Sequence, residues 1–295
     1  MPWPYLMHEK TVRYSPSASF LVWSAEQEQA PTTDRKDMLL LGDPLYSVDE
    51  EELPAIAMRS VATLCPERVE RLLKTREEIR SVAQLLLGPA ETQIHSSLED
   101  LPRSGSVHGA RFDLYCGNEA SKAKLQGDLV NYRILHLAVH GYVDSEYPWF
   151  SGVVLSGEEA GSCSFLNLVE ISSLKLDADL VFLSACDTAR GEVTKAEGIK
   201  NTARSFLLAG ARSVVATQWT VNDEASALLA KSFYEKLFRG SSAAEALRSA
   251  KLGMLGSRTA ARPLAARGIG QVKSDTGTTH LAHPSFWAPF VLWGR

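Results

Sequence analysis

Short apolar runs closed by small or polar residues recur along this chain and set its frame. Leu180 to Leu183 is an uninterrupted apolar tetrad inside D-L-V-F-L-S-A-C-D. It is too short for a helix and bounded by polar residues, the pattern of a strand buried on both faces. Arg133 to Gly141 (R-I-L-H-L-A-V-H-G) has the same form, and Met38 to Leu41 and Ser213 to Gln218 read as further central strands. Arg111 to Tyr115 and Phe290 to Trp293 supply two more, and Gly152 to Leu155 a strand or hairpin arm.

Between these runs the period changes to that of helices. Asp49 to Leu87 reads as helical, above all Glu67 to Leu87, where Val69, Leu72, Leu73, Ile79, Val82, Ala83 and Leu86 fall at three- and four-residue steps before Gly88-Pro89 stops them. Further helices are expected at Ala120 to Leu129, Phe165 to Ser173, Ile199 to Leu208, Asp223 to Phe238 with Asn222 or Asp223 as its cap, and Ala243 to Leu255 behind a Ser242/Glu245 capping box. Tyr14 to Ser19 predicts a turn into the short apolar segment F-L-V-W. The stretches 89–110 and 256–282 have no period and are expected to be surface loops or insertions. Strands alternating with helices imply right-handed crossovers and a three-layer α/β fold, a mostly parallel central sheet flanked by helices, in one domain over 1–295.

In an open parallel sheet the carboxyl ends of the strands share one edge, where ligands bind and chemistry is done. His140 closes one buried run and Cys186 lies just past another, so the two are expected at a common rim. They are 46 residues apart with histidine first, close to the roughly 50 of the caspase order, although the cysteine stands in S-A-C-D-T and not in the caspase Q-A-C-x-G. Five blocks, H-L-A-V-H-G, S-G-V-V-L-S from Ser151, L-V-F-L-S-A-C-D-T from Leu180, G-A-R-S-V-V-A-T-Q-W from Gly210 and H-P-S-F-W-A-P-F-V-L-W-G from His283, together resemble the CHAT domain. That family consists of caspase- and separase-like cysteine peptidases, often joined to tetratricopeptide repeats. The resemblance runs from about Ser15 to the C-terminus with the blocks in the family's order. It implies a caspase-like fold, a dyad on His140 and Cys186, and an oxyanion site lined by the backbone N–H groups of Gly141 and Cys186. The strand and entry segment that precede the Pro-Ser-Ala-Ser block in the family are short or missing here. A chain that begins inside its domain, as part of a longer parent, is therefore expected, and a regulatory tetratricopeptide segment or partner is implied although the sequence shows no such repeat.

Composition narrows the classes. The 295 residues are 45% apolar, ample for a buried core. A net charge of −4 without any Lys/Arg-rich block excludes a direct nucleic-acid partner. Cys65, Cys116, Cys163 and Cys186 are widely spaced with no C-x-x-C pair, which fits neither a disulfide scaffold nor a structural zinc site. No run of 18 apolar residues and no signal-peptide plan at Met1 to Lys10 are present. A cytoplasmic protein with no membrane span, cofactor or metal is expected.

The chemistry that follows is acyl transfer: a thiolate attacks a peptide carbonyl, an acid protonates the departing amine, and backbone N–H groups hold the oxyanion. Cys186 is the candidate nucleophile and His140 the acid/base, while glycine at 141 lets a substrate carbonyl approach the backbone. The plainer reading of Cys186 is a buried cysteine acting as a small apolar residue. His136 and His140 form H-x-x-x-H, but on a strand four residues span about 13 Å, so they cannot share one ion, and His136 is expected to hydrogen-bond in the core. Cys65, Cys116 and Cys163 are expected to pack. Ser184 has no G-x-S-x-G elbow around it, and neither a G-x-G-x-x-G nor a P-loop pattern occurs. Asp187 and Asp144, if at the cleft mouth, favour Arg or Lys before the scissile bond, against plain roles as a loop cap and a solvated acid. Trp219 is either pocket wall or core, Asn222 either backbone clamp or helix cap. Arg76, near the apolar stripe of its helix, is expected to snorkel. The reading is a cysteine endopeptidase acting on specific protein partners; the alternative is a catalytically silent docking or signalling module of the same fold.

Overall fold

The central strands form where the apolar runs stand, and the order in which they pair decides which side chains can meet. The structure, a computed structural model, describes residues 5–26, 34–46, 72–87, 104–107, 110–142, 147–158, 162–185, 195–219, 221–257, 260–261 and 279–295. In chain order the elements are α1 (Ala18–Glu26), β1 (Lys36–Pro44), α2 (Leu73–Leu87), β2 (Ser104–Val107), β3 (Ala110–Gly117), α3 (Lys122–Leu125), β4 (Tyr132–Ala138) and β5 (His140–Tyr142). After these come β6 (Gly152–Ser156), β7 (Cys163–Asn167), α4 (Leu168–Ser172), β8 (Leu180–Leu183), α5 (Lys195–Leu208), β9 (Ser213–Thr217) and α6 (Asp223–Leu237). The last are α7 (Ala243–Leu255), β10 (Ala260–Ala261), β11 (Thr279–His280), α8 (Pro284–Trp287) and β12 (Phe290–Gly294).

Seven strands make the main sheet in the order β12-β9-β8-β4-β1-β3-β2. The five inner strands run parallel, and the two outer ones, β12 and β2, are antiparallel to their neighbours. This is a three-layer α/β architecture of caspase-like form. Side chains alternate across the sheet as the pleat requires. Met38, Leu40, Leu180 and Phe182 pack with Ile79, Val82, Phe233, Tyr234, Leu247 and Ala250 from α2, α6 and α7. Leu39, Leu41, Leu135, Leu137, Val181 and Leu183 pack on the other face with Leu125, Ile171, Ala203, Phe206 and Leu207 from α3, α4 and α5. Each such buried aliphatic or aromatic side chain stabilises the fold by roughly 1.5–3 kcal/mol, which is why runs of only four residues hold as strands.

Glycine marks two close approaches. A Cβ at Gly42 would lie 2.8 Å from the Ala138 carbonyl oxygen and would also strike Ile79, so glycine lets α2 settle on β1 and β4. Gly210 has φ +116 and its missing Cβ would collide with the Leu176 carbonyl oxygen, so the turn from α5 into β9 requires it. The outer edge of β12 is closed by the start of the chain: the Tyr14 N–H donates to the Leu292 carbonyl (2.7 Å) and the Gly294 N–H to the Tyr14 carbonyl (2.9 Å).

Several expectations change. The stretch 89–110 is not all loop, because Ser104–Val107 pairs antiparallel with β3. Phe165 to Ser173 is not one helix: Cys163–Asn167 is a strand, and Asn167 then accepts from the Val169 and Glu170 N–H groups to cap the five-residue α4. Ala120 to Leu129 shrinks to the single turn of α3, and the helix placed over Ile199 to Leu208 starts earlier, at Lys195. Within 256–282, Ala260–Ala261 and Thr279–His280 pair as a two-residue ladder. The capping box Ser242/Glu245 and the Asn222 cap form as read. The proposed helix over 49–71 lies outside the described residues.

Lys251 extends from α7 beside Ala250 and Met254, and burial pulls its ammonium down to about 8. Its ordinary value is about 10.4, so between these values the unfolded chain binds more protons than the native one and native stability rises with pH. The charged lysine is therefore a cost at neutral pH. Lys251→Met is expected to stabilise the protein by ~2 kcal/mol at pH 7, a gain that shrinks between pH 8 and 10.5. Urea unfolding of both proteins at pH 7 and pH 10 checks it; an equal gain at the two pH values would contradict the assignment.

Candidate active site

Because β1, β4, β8 and β9 are parallel, their carboxyl ends deliver Asp43, Ala138, Ser184 and Thr217 to one rim. In the register of the two middle strands Leu137 pairs with Leu183. His140 and Cys186 each follow their member of that pair by three residues. The main sheet itself stops before the histidine: β4 ends at Ala138, the chain bends at Val139, and His140 opens β5, the edge of a separate sheet ordered β5-β6-β7.

His140 is buried and pairs with Val154 across that small sheet. Tyr46 seats it: the tyrosine hydroxyl accepts the His140 backbone N–H (3.3 Å) and donates to the Val154 carbonyl (3.1 Å), while its ring centroid lies 5.4 Å from the imidazole. Gly141, also buried, sits opposite Val153. On β8 the extended chain continues past the last ladder pair. The Ser184 N–H donates to the Leu137 carbonyl (2.9 Å), and the Ala185 carbonyl accepts the Thr217 hydroxyl of β9 (2.8 Å). Cys186, Asp187 and Asp144 lie outside the described residues.

The other candidates separate. Trp219 follows the end of β9 and is 42% exposed, so it is not a core residue. Asn222 caps α6, its side chain accepting the Ala225 N–H at 3.0 Å, as the capping alternative required. Neighbouring Asp223 is buried and accepts the Lys74 N–H (2.9 Å), tying the start of α2 to the start of α6 at the same rim. Arg76 does not merely snorkel. Its Nε donates to Asp43 Oδ2 at 2.7 Å, and Asp43 is fully buried with φ 50, a left-handed backbone that costs a non-glycine residue energy. Asp43 and Tyr46 were missed in the sequence; the only local sign was Gly-Asp-Pro at the carboxyl end of an apolar run.

His136 lies in the core, as expected. Its Nδ1 is 3.1 Å from the Tyr234 hydroxyl and its Nε2 3.3 Å from Glu78 Oε1, with both side chains of the latter pair inaccessible to solvent and Phe182 stacked at 5.2 Å. Burial, and then the Glu78 carboxylate, hold the Tyr234 hydroxyl protonated well above the ordinary tyrosine range. Cys116 is a buried core residue, as expected. Cys163, expected to pack, is instead disulfide-bonded; spacing along the chain does not report which cysteines fold together. Among the described residues no helix is long and apolar enough to cross a membrane.

A mostly parallel sheet between helical layers defines the caspase-like fold class. The family model of the CHAT domain matches residues 3–295, and the chain belongs to that family. It is 31% identical over 129 residues, 44% of its length, to tetratricopeptide repeat protein 28 of Mus musculus. Against tetratricopeptide repeat protein 28 of Homo sapiens it is 29% identical over 143 residues, 47% of its length. The matched segments are only 4% and 5% of those relatives, so the chain spans a small part of the proteins it resembles.

Proposed function

We propose that the protein is a cysteine endopeptidase in which Cys186 is the nucleophile and His140 the general acid/base, acting on protein substrates in the cytoplasm within a single CHAT domain over 1–295. The observation that carries this reading is the parallel pairing of β4 with β8 in the register Leu137 to Leu183, three residues before each member of the dyad. In the first half-reaction the thiolate sulfur bonds to the scissile carbonyl carbon and the π pair moves onto oxygen, held by the backbone N–H groups of Gly141 and Cys186. The C–N bond then breaks, its nitrogen takes the imidazolium proton of His140, and a thioester remains. Water, deprotonated by the same imidazole, releases the acid and restores the thiol.

Asp187 and Asp144 are proposed to favour Arg or Lys before the cleaved bond, with Trp219 as an exposed wall and Asn222 at the helix start beside it. Asp43, although at the rim, is already engaged by Arg76. A tetratricopeptide segment or partner is proposed to regulate access, in line with the names of the relatives.

A panel of fluorogenic peptide amides differing only in the residue before the amide, assayed with a reductant present, tests the reading. Turnover of the Arg and Lys members is expected to exceed the rest by at least about tenfold. Turnover confined to Asp or large apolar residues would reject the acidic pocket and keep the peptidase. An electrophilic peptide probe should label the wild type and spare Cys186→Ala; a wild type that never labels would instead favour a docking module.

A further inference from the structure

Tyr46 follows the end of β1 by two residues, is 9% exposed, and takes no part in the bond-making steps of acyl transfer. We infer that it is a positioning residue for them: its hydroxyl and its ring together fix residue 140, so that the imidazole stands ready to take and return a proton. The inference rests on the peptidase reading.

The need for such a tie comes from where the main sheet stops. β4 ends at Ala138 and His140 belongs to the smaller sheet, so the ladder that holds Leu137 against Leu183 does not reach the histidine. Hydrogen bonds between β6 and β7 fix the directions in that smaller sheet. The Gly157 N–H donates to the Ser162 carbonyl (2.7 Å) and the Leu168 N–H to the Ser151 carbonyl (2.9 Å). Hydrogen-bonded pairs alternate along an antiparallel ladder, so the odd-numbered residues of β6 turn their backbone groups toward β7, and Val154 turns its own toward β5. His140 lies directly opposite Val154. The Tyr46 hydroxyl accepts the N–H of the one (3.3 Å) and donates to the carbonyl of the other (3.1 Å), which places it on the seam between the two strands.

The segment that carries the tyrosine is itself anchored. The Leu45 N–H donates to Ser156 Oγ (2.9 Å), and that hydroxyl donates to the Gly117 carbonyl (2.8 Å). The exit of β1 is thus clamped to β6 at Ser156 and at Val154, and the phenol, donor and acceptor at once, reaches His140 from a fixed base. Its ring centroid lies 5.4 Å from that of the imidazole at an interplanar angle of 50°, so one residue touches the histidine at its backbone and at its side chain. Imidazole takes the thiol proton and later gives a proton to the departing nitrogen, and both transfers need it within hydrogen-bond reach. Misplacing a reacting group by ~1 Å can cost about 10²-fold in rate.

Tyr46→Phe removes the hydroxyl and keeps the ring, whereas Tyr46→Leu removes both. The full chain is assayed with the peptide amide that the wild type cleaves fastest, kcat is taken per site titrated by the electrophilic peptide probe, and Cys186 alkylation by iodoacetamide at pH 7 is followed in parallel. Tyr46→Phe is expected to lower kcat by about tenfold and Tyr46→Leu by about 10²-fold, with KM within about twofold of wild type. Alkylation should slow by at least about threefold in both, because a thiol whose base is displaced is less ionised. A tyrosine that merely packed would leave kcat per site unchanged, and its loss would speed alkylation by loosening the cleft. The inference is overturned by wild-type kcat in Tyr46→Phe, by a rise in KM that accounts for the loss of kcat/KM, or by alkylation as fast as in the wild type. A wild type that cleaves no amide removes the peptidase reading and this inference with it, and is told apart because the parent itself is then silent.

Discussion

Replacing His140 with alanine is expected to lower peptide-amide turnover by about 10³-fold or more, and replacing Cys186 with alanine to abolish it. The two losses should not add, since an acid/base without its nucleophile has nothing to act on. His140→Ala with Cys186→Ala should therefore be no slower than Cys186→Ala alone. Structure sharpens the control. Tyr46 hydrogen-bonds the His140 backbone N–H as well as packing near the ring, so removing the imidazole leaves that hydrogen bond and the β5/β6 ladder in place. The expected result is a folded, inactive protein with a wild-type melting curve. Retained turnover in Cys186→Ala, or a His140→Ala protein that fails to fold, would count against the assignment.

The second large effect concerns stability. Glu78 on α2 and Tyr234 on α6 meet His136 of β4 deep in one helical layer. Taking charged groups out of water is expensive, and a buried pair offsets that expense only while both partners remain. His136→Leu removes the imidazole that faces a fully buried carboxylate and is expected to destabilise the protein by ~3–5 kcal/mol. Adding Glu78→Met should recover most of the loss, because two apolar groups of similar size then fill the site. Urea unfolding of the two single variants and the double variant reads this out. If the double variant lies at the sum of the singles, the pair is not coupled and the account fails.

How far the sequence carries can be judged from particular residues. β1, β4, β8 and β9 were legible because strands covered on both faces leave runs of aliphatic residues, and α6 and α7 because their caps are local chemistry. The stretch Phe165 to Ser173 misled, since F-L-N-L-V-E-I supports either period and a single asparagine separates strand from helix. Ser104–Val107 was missed because S-G-S-V has almost no apolar content and is held by backbone pairing at an edge. At the rim, His140 and Gly141 were reached through strand ends and the family resemblance. Tyr46, Asp43 and Thr217 were not, because each acts through a hydrogen bond to a residue distant in sequence: Tyr46 to His140 across 94 positions, Thr217 to Ala185 across 32. A polar side chain beside an apolar run carries no local sign of its partner.

The bridge between Tyr14 and Trp293 joins residues far apart in the chain. The segment around Tyr14 covers the outer backbone of β12, so breaking that bridge would bare the Leu292 carbonyl and the Gly294 N–H and invite pairing with a strand of a second molecule.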